Sequence, residues 1–214
     1  MVKVARIVNV VFNSNTYVIY KDDEKDVYLV DPGNTCEINK WIVNHNKCSI
    51  KGIFITHAHF DHICSINDFL KLNENIPIYL SSNNGKAIIE DEKKNYSKYH
   101  GTPYVVKAKH YVEVDDGSEY PLWDNDTIKI LETLGHTEDS VSMICGNYLF
   151  TGDAFIPEIK VVTKTRGGNK QDALKSVQKI WRLISRFPMM TICPGHEEMK
   201  PARLLNKDFR YVEV

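Results

Sequence analysis

The stretch THAHFDH, Thr56 to His62, sets His57, His59, Asp61 and His62 in close succession directly after the apolar run IKGIFI. In an extended chain, side chains at i and i+2 point to the same side, so His57 and His59 can reach one metal ion with their ring nitrogens. Asp61 and His62 fall where the chain turns into a helix. The turn re-aims them toward a neighbouring point, roughly 3.5 to 4 Å away, the separation of paired metal ions. The alternative is a chance cluster of surface histidines. At this chain's own His and Asp frequencies, H-x-H-x-D-H arises by accident in on the order of one such sequence in a thousand.

Two ions need further ligands. His136 in LGHT, Asp153 in FTGDAF and His196 in CPGHE each follow an apolar run that should bury and stop where a loop begins. Singly, each reads as an ordinary turn residue; jointly, they are candidate ligands. His45, His100 and His110 are left without a partner in this scheme.

Lys164, Arg166 and Lys170, in IPEIKVVTKTRGGNK, are candidates to hold a substrate carboxylate, Arg166 by a two-pronged contact. The plain alternative is a solvated basic loop before a helix. Phe60, Phe155 and Ile156 flank the candidate ligands and are candidate walls for an apolar pocket, with core packing as the alternative. Tyr96, Tyr99 and Tyr104 lie in a tyrosine-rich segment that could cover a site.

The elements that must position these residues follow from patterning. VKVARIVNVVF, NTYVIY and DVYLVD read as strands of an antiparallel meander, with turns at NSN and KDDEKD. Ile38, Trp41, Ile42 and His45 recur at helical spacing after Asn34 and Glu37, which resemble an N-terminal cap pair. IKGIFIT and IPIYLSS read as strands, and Ile63, Ile66, Phe69 and Leu70 as one helix between them. Residues 83 to 117 read as a helix followed by an irregular segment. TIKILETL and the hairpin SVSMICGNYLFTG, turning at Gly146-Asn147, are strands. A helix from Gln171 to Phe187 carries Leu174, Val177, Ile180, Trp181 and Ile184 on one face, and the strand MMTIC precedes PGH. Two groups of strands, each followed by helices, point to a four-layer sandwich of two mixed sheets with helices on the outer faces.

Composition bounds the rest. The 214 residues suit a single domain, 1–214, and the net charge of -1 gives no field to draw in nucleic acid. The N-terminus has no separate cationic segment and no long apolar stretch, and no apolar run is long enough to span a membrane, so a cytoplasmic protein is expected. Cys36, Cys48, Cys64, Cys145 and Cys193 form no C-x-x-C pair and are expected to be buried thiols.

NTY, DPG, THAHFDH, GHT, TGDAF and PGH, in that order between Asn15 and Glu197, make the chain resemble the metallo-β-lactamase superfamily, in particular its glyoxalase II-like branch of hydroxyacylglutathione hydrolases and small relatives. The resemblance implies an α/β fold, the αββα sandwich, with the site at the sheet edges. It assigns His57, His59 and His136 to a first metal, Asp61, His62 and His196 to a second, and Asp153 to both, with Asp31 of DPG bracing the ligand loop. Asp61 and Asp153 are thereby catalytic as well as ligating. Two divalent ions per chain are implied, with zinc expected and iron or manganese as alternatives. The implied reaction is hydrolysis of an activated acyl bond, a thioester of the hydroxyacylglutathione type or a related small acyl substrate, by a hydroxide held between the ions.

The alternatives are a lactonase of the same fold and a persulfide dioxygenase-like oxidoreductase with one iron. A small-molecule substrate, rather than nucleic acid or a membrane, is the expected partner. Three departures from the family pattern stand out. Only Glu197 to Val214 follow His196, where full-length glyoxalase II enzymes carry a helical region that grips glutathione. HTEDS replaces an HTPGS-like loop, and the segment after Asp153 lacks a GR-x-D-like run.

Overall fold

The computed structural model describes residues 1–212, in two compact units, Met1–Val114 and Asp115–Val214. In the first unit, β1 (Lys3–Val8), β2 (Asn15–Tyr20) and β3 (Asp26–Val30) form the expected antiparallel meander. From β3 onward the sheet is parallel, through β4 (Ser49–Phe54), β5 (Ile78–Ser81) and β6 (Tyr111–Val114), and its spatial order is the chain order. Parallel neighbours need crossovers, and helices supply the first two. α1 (Thr35–Asn44) joins β3 to β4, while α2 (Phe60–Ile63) and α3 (Ile66–Leu72) join β4 to β5. α4 (Gly85–Ile89) and a single 3-10 turn, Ser97–His100, fill the long connection to β6. The Asn34 side chain caps α1 by accepting from Glu37 N at 3.2 Å.

The second unit has β7 (Glu119–Trp123), β8 (Asp126–Glu132), β9 (Val141–Cys145) and β10 (Tyr148–Gly152) as consecutive antiparallel neighbours. α5 (Lys170–Arg186) then crosses to β11 (Thr191–Pro194), parallel to β10, and β12 (Lys200–Pro201) closes that edge. Most helical stability in a folded protein comes from packing of an amphipathic face, and α5 buries one. Ala173, Val177, Ile180 and Ile184 pack on Leu149, Phe155, Ile192 and Tyr211. Burying a side chain such as Ile180 contributes about 2 kcal/mol. In the first unit, alternate residues of β2 to β4, including Val18, Leu29 and Ile53, pack with Ile38, Ile63 and Phe69. Their neighbours Tyr17, Val30 and Phe54 are buried as well, so these strands are covered on both faces.

Several expectations are corrected. β1 stops at Val8, because Asn9 N bonds Ser14 O at 2.8 Å and Phe12 and Asn13 take left-handed backbones, which closes a loop where a strand was expected. The helix after Asp61 is two pieces, interrupted where Ser65 N turns to Pro32 O. β6 and β7 fall in or beside the stretch read as irregular, and the chain carries Pro121 within β7, at a sheet edge where a missing N–H is tolerated. Cys145 and Cys193 are buried as expected, but Cys36 and Cys48 are exposed and Cys64 is half-buried. Cys36 lies on the outward side of α1 and Cys48 in the turn before β4, where nothing covers them.

The start of α5 is pinned by Gly135, whose φ of +125° suits only glycine and whose absent Cβ would lie 2.1 Å from Ala173 N. Gly135→Ala is therefore expected to destabilise the protein by about 3 kcal/mol in denaturant unfolding. Val43→Ala, at an exposed site on α1, should stay within about 0.5 kcal/mol of the parent.

Candidate functional site

Each unit holds its own group of candidate ligands at strand ends. In the first, β4 runs out through Ile55 and Thr56, and the chain stays extended to His59 (φ -67°, ψ 147°) before α2 begins. The i, i+2 geometry read from the sequence is present: the His57 and His59 rings lie 4.7 Å apart. The turn into α2 brings His62 back to within 4.3 Å of His57, centroid to centroid. His62 Nε2 is 3.4 Å from Asp61 Oδ2.

Asp31 organises this group. It is 2 % exposed, sits at φ +51°, and accepts from Thr56 N at 2.8 Å and Thr56 Oγ1 at 2.6 Å. Its Oδ2 lies 3.1 Å from His62 Nδ1. That bond places the ring proton on Nδ1 and leaves Nε2 as the basic nitrogen. His57 Nδ1 is likewise engaged, 3.1 Å from Thr56 Oγ1. The Nε2 atoms of His57, His59 and His62 are shut off from solvent.

Behind Asp31 stands a further layer that the sequence reading missed. Thr16 Oγ1 lies 2.8 Å from both Asp31 O and Asn9 Oδ1, Gly33 N donates to Thr16 Oγ1 at 3.0 Å, and Ser14 Oγ donates to Asp61 O at 2.8 Å. A Cβ on Gly33 would fall 2.5 Å from Asp61 O, so only glycine admits the ligand loop here. The motifs NTY and DPG were the available signal, and their role is this support.

In the second unit, His136 leaves β8 through Gly135. Its Nδ1 bonds Val162 O at 2.9 Å, and its own carbonyl accepts from Thr165 Oγ1 at 2.9 Å. Asp153 follows β10, whose last residue, Gly152, has φ +49°. His196 follows β11 on Gly195, which donates to Gly152 O at 2.9 Å. Asp153 Oδ2 lies 3.6 Å from His136 Nε2 and 3.5 Å from His196 Nε2. These separations exceed the usual hydrogen-bond length. They match the roughly 3.3 Å between two ligands on one tetrahedral ion at about 2.05 Å.

The donor set therefore fits divalent metal: imidazole Nε2 atoms with Nδ1 already committed, plus carboxylates. Thiolate is not part of it. Burial pushes the Cys145 thiol up to about 12 and holds that of Cys193 well above its usual range.

The remaining candidates separate. Lys164 is exposed and, with Lys160, Lys170, Val161, Val162 and Val212, lines a cavity of about 280 Å³. Arg166 is exposed. Phe155 is a correction: it is 0 % exposed and stacks on Tyr211 at 4.3 Å, so it belongs to the core under α5 and offers no wall to a ligand. His45 stacks on Trp41 at 4.0 Å. The Tyr96 ring meets the His59 ring edge-on at 5.1 Å.

Comparison with known proteins follows the same lines. The family model described as the metallo-beta-lactamase superfamily matches residues 9–196. The hydroxyacylglutathione hydrolase of Wigglesworthia glossinidia brevipalpis is 30% identical over 193 residues, covering 89% of this chain and 65% of that protein. A probable polyketide biosynthesis zinc-dependent hydrolase of Bacillus velezensis, BaeB, is 26% identical over 182 residues, 84% of this chain and 71% of that protein. Among solved structures, the BLEG-1 B3 metallo-beta-lactamase superposes with a TM-score of 0.81 at 25% identity, covering 94% of this chain and 95% of that one. ETHE1 from Myxococcus xanthus gives a TM-score of 0.70 at 21% identity over 92% and 76%, a likeness of fold alone. The two six-stranded mixed sheets with their helices are thus those of the α/β sandwich of this family. With the match running from before β2 to His196 and enclosing every candidate ligand, the chain belongs to the metallo-β-lactamase superfamily of metal-dependent hydrolases.

Proposed function

We propose that the chain is a dinuclear zinc hydrolase that cleaves an activated acyl bond, a thioester of the hydroxyacylglutathione type or a related small acyl substrate. The observation that carries this reading is the Asp153 carboxylate, one oxygen of which lies at ligand-sharing distance from both His136 and His196. A carboxylate between two imidazoles of different assigned ions is what a bridging role requires. His57, His59 and His136 are proposed to hold one ion and Asp61, His62 and His196 the other, with Asp153 on both.

Two divalent cations so held would supply Lewis acidity and lower the pKa of water toward neutrality. The chain's own residues do the rest. Asp31 and the Val162 carbonyl hold the Nδ1 protons of His62 and His136, so both rings present Nε2 as donor without reorganising. Asp61 and Asp153 together offset part of the positive charge and leave a net attraction for a developing oxyanion. No side-chain nucleophile is needed. Lys164, with Arg166 nearby in sequence, is proposed to attract a carboxylate on the substrate.

Purified without chelator, the protein should carry about two transition-metal ions per chain; a folded, metal-supplemented sample with none would overturn the reading. Asp153→Ala should lose metal at both positions and most activity, whereas His110→Ala, at an exposed residue outside both ligand groups, should keep both. Asp31→Asn should weaken metal retention about 10- to 100-fold in chelator competition, because the acceptor for the His62 Nδ1 proton is compromised. Anaerobic assay of zinc-loaded protein on a lactoylated thiol should show turnover that His196→Ala abolishes. Oxygen-dependent oxidation of a persulfide by the iron-loaded form, with no acyl hydrolysis, would replace the hydrolase with a dioxygenase.

A further inference from the structure

The first unit carries a run of aromatic rings beside the ligand loop that the chemistry above does not use. Tyr96 meets His59 edge-on at 5.1 Å and contacts Tyr99 at 5.9 Å. His100, next in chain, lies 4.6 Å from Phe12 and 6.3 Å from Phe60, and Phe60 is 5.6 Å from Tyr104. Phe12 is 56% exposed and Tyr99 68%, and Val10, two residues before Phe12, 84%. Single exposed apolar side chains are ordinary; two groups of rings, His59–Tyr96–Tyr99 and Phe12–His100–Phe60–Tyr104, that meet in the chain at Tyr99–His100 beside a candidate ligand are not.

The backbone that presents these rings is fixed in place. Tyr96 (φ 68°) and Phe12 (φ 52°) both hold left-handed conformations that a bulky residue rarely adopts. Asn95 holds the Tyr96 segment: fully buried, it donates to Tyr104 O at 2.8 Å and accepts from Ser97 N at 2.9 Å. Its own carbonyl accepts from Phe60 N at 2.9 Å. The segment is thereby tied to the first residue of α2, one position after His59. Ser97 Oγ adds a second tie by exchanging bonds with Tyr104 N and O. A preformed aromatic face does not have to be ordered when a ligand arrives.

We propose that Tyr96, Tyr99, His100 and Phe12 form a binding surface for the apolar, and in particular aryl, part of the substrate's acyl group. The occupant follows from the contact with His59: an acyl carbon reacting at the metals would have its substituent within reach of the Tyr96 ring, with Tyr99 against Tyr96 and His100, next in chain, against Phe12. This rests on the hydrolase reading for the position of the acyl carbon, and it deepens that reading by naming an arylacyl substrate class. The surface favours flat or extended apolar groups over a small hydroxyacyl group, because ring faces and edges reward stacking and offer few hydrogen bonds.

The test uses the metal-loaded protein and two non-hydrolysable amides of cysteamine, one bearing a 4-phenylbutyryl group and one an acetyl group, with affinity read by ligand-observed NMR. The phenyl amide should bind about 10-fold or more tightly than the acetyl amide. Phe12→Ala and Tyr99→Ala should each shrink that ratio about 3- to 10-fold, with metal content unchanged, and Tyr96→Phe should retain it. Val43→Ala serves as the remote control. Equal binding of the two amides, or a ratio untouched in the Phe12→Ala/Tyr99→Ala double variant, would overturn the proposal. So would a self-association that Phe12→Ala weakens, which would make this face an interface between copies. Preference for the phenyl amide with no turnover of any thioester would uphold the surface while sinking the hydrolase reading.

Discussion

The Asp31 carboxylate takes the main-chain and side-chain protons of Thr56 and the Nδ1 proton of His62 at one buried point. A buried carboxylate without such partners would be strongly unfavourable, so the bonds are a condition of burial and a source of order together. Through Thr56 they fix where β4 ends; through His62 they fix how α2 begins. Between them, Phe60 N bonds Asn95 O and Asp61 O accepts from Ser14 Oγ, so the stretch is tied at several points. The loop is therefore held at both ends by the chain's own hydrogen bonds.

The same logic recurs in the second unit with other chemistry. His136 is held by a carbonyl and a hydroxyl from the segment that precedes α5, and α5 in turn seats on Gly135, the residue before this candidate ligand. Helix packing and ligand placement are there one problem. Packing of Ile180 and Ile184 under α5 supports the position of His136 from some distance in sequence.

What could be read from the sequence was what is local. The i, i+2 pairing of His57 and His59, the Asn34 cap and the apolar face of α5 depend on neighbours in the chain, and each is present, except that Leu174 of that face is exposed and Ala173 is buried in its place. What escaped depends on partners far away. Val162 is 26 residues from His136, and its carbonyl leaves no mark in residue type. Thr16 and Asn9 both read as strand residues, because nothing local says that they lie behind Asp31. Phe155 was misjudged for a related reason: flanking Asp153 in sequence does not say which way a ring points, and Tyr211 claims it. The edge strands β6 and β7 are short and half-exposed, so their periodicity is weak. Of the fold, the internal strands and long helices were legible; of the candidate site, the residue types were, and the supports behind them were not.

The bond from His136 to Val162 O has a consequence for how such a chain can change over time. A carbonyl belongs to the backbone, so no ordinary substitution at position 162 deletes it. The side chains of the same segment, Lys160, Lys164 and Arg166, can be exchanged while the ring of His136 keeps its acceptor. Thr165 apart, whose hydroxyl bonds the His136 carbonyl, the segment thus lets the main chain hold the ring while its exposed side chains vary. New preferences can accumulate there one substitution at a time without first dismantling the hold on the ring they adjoin.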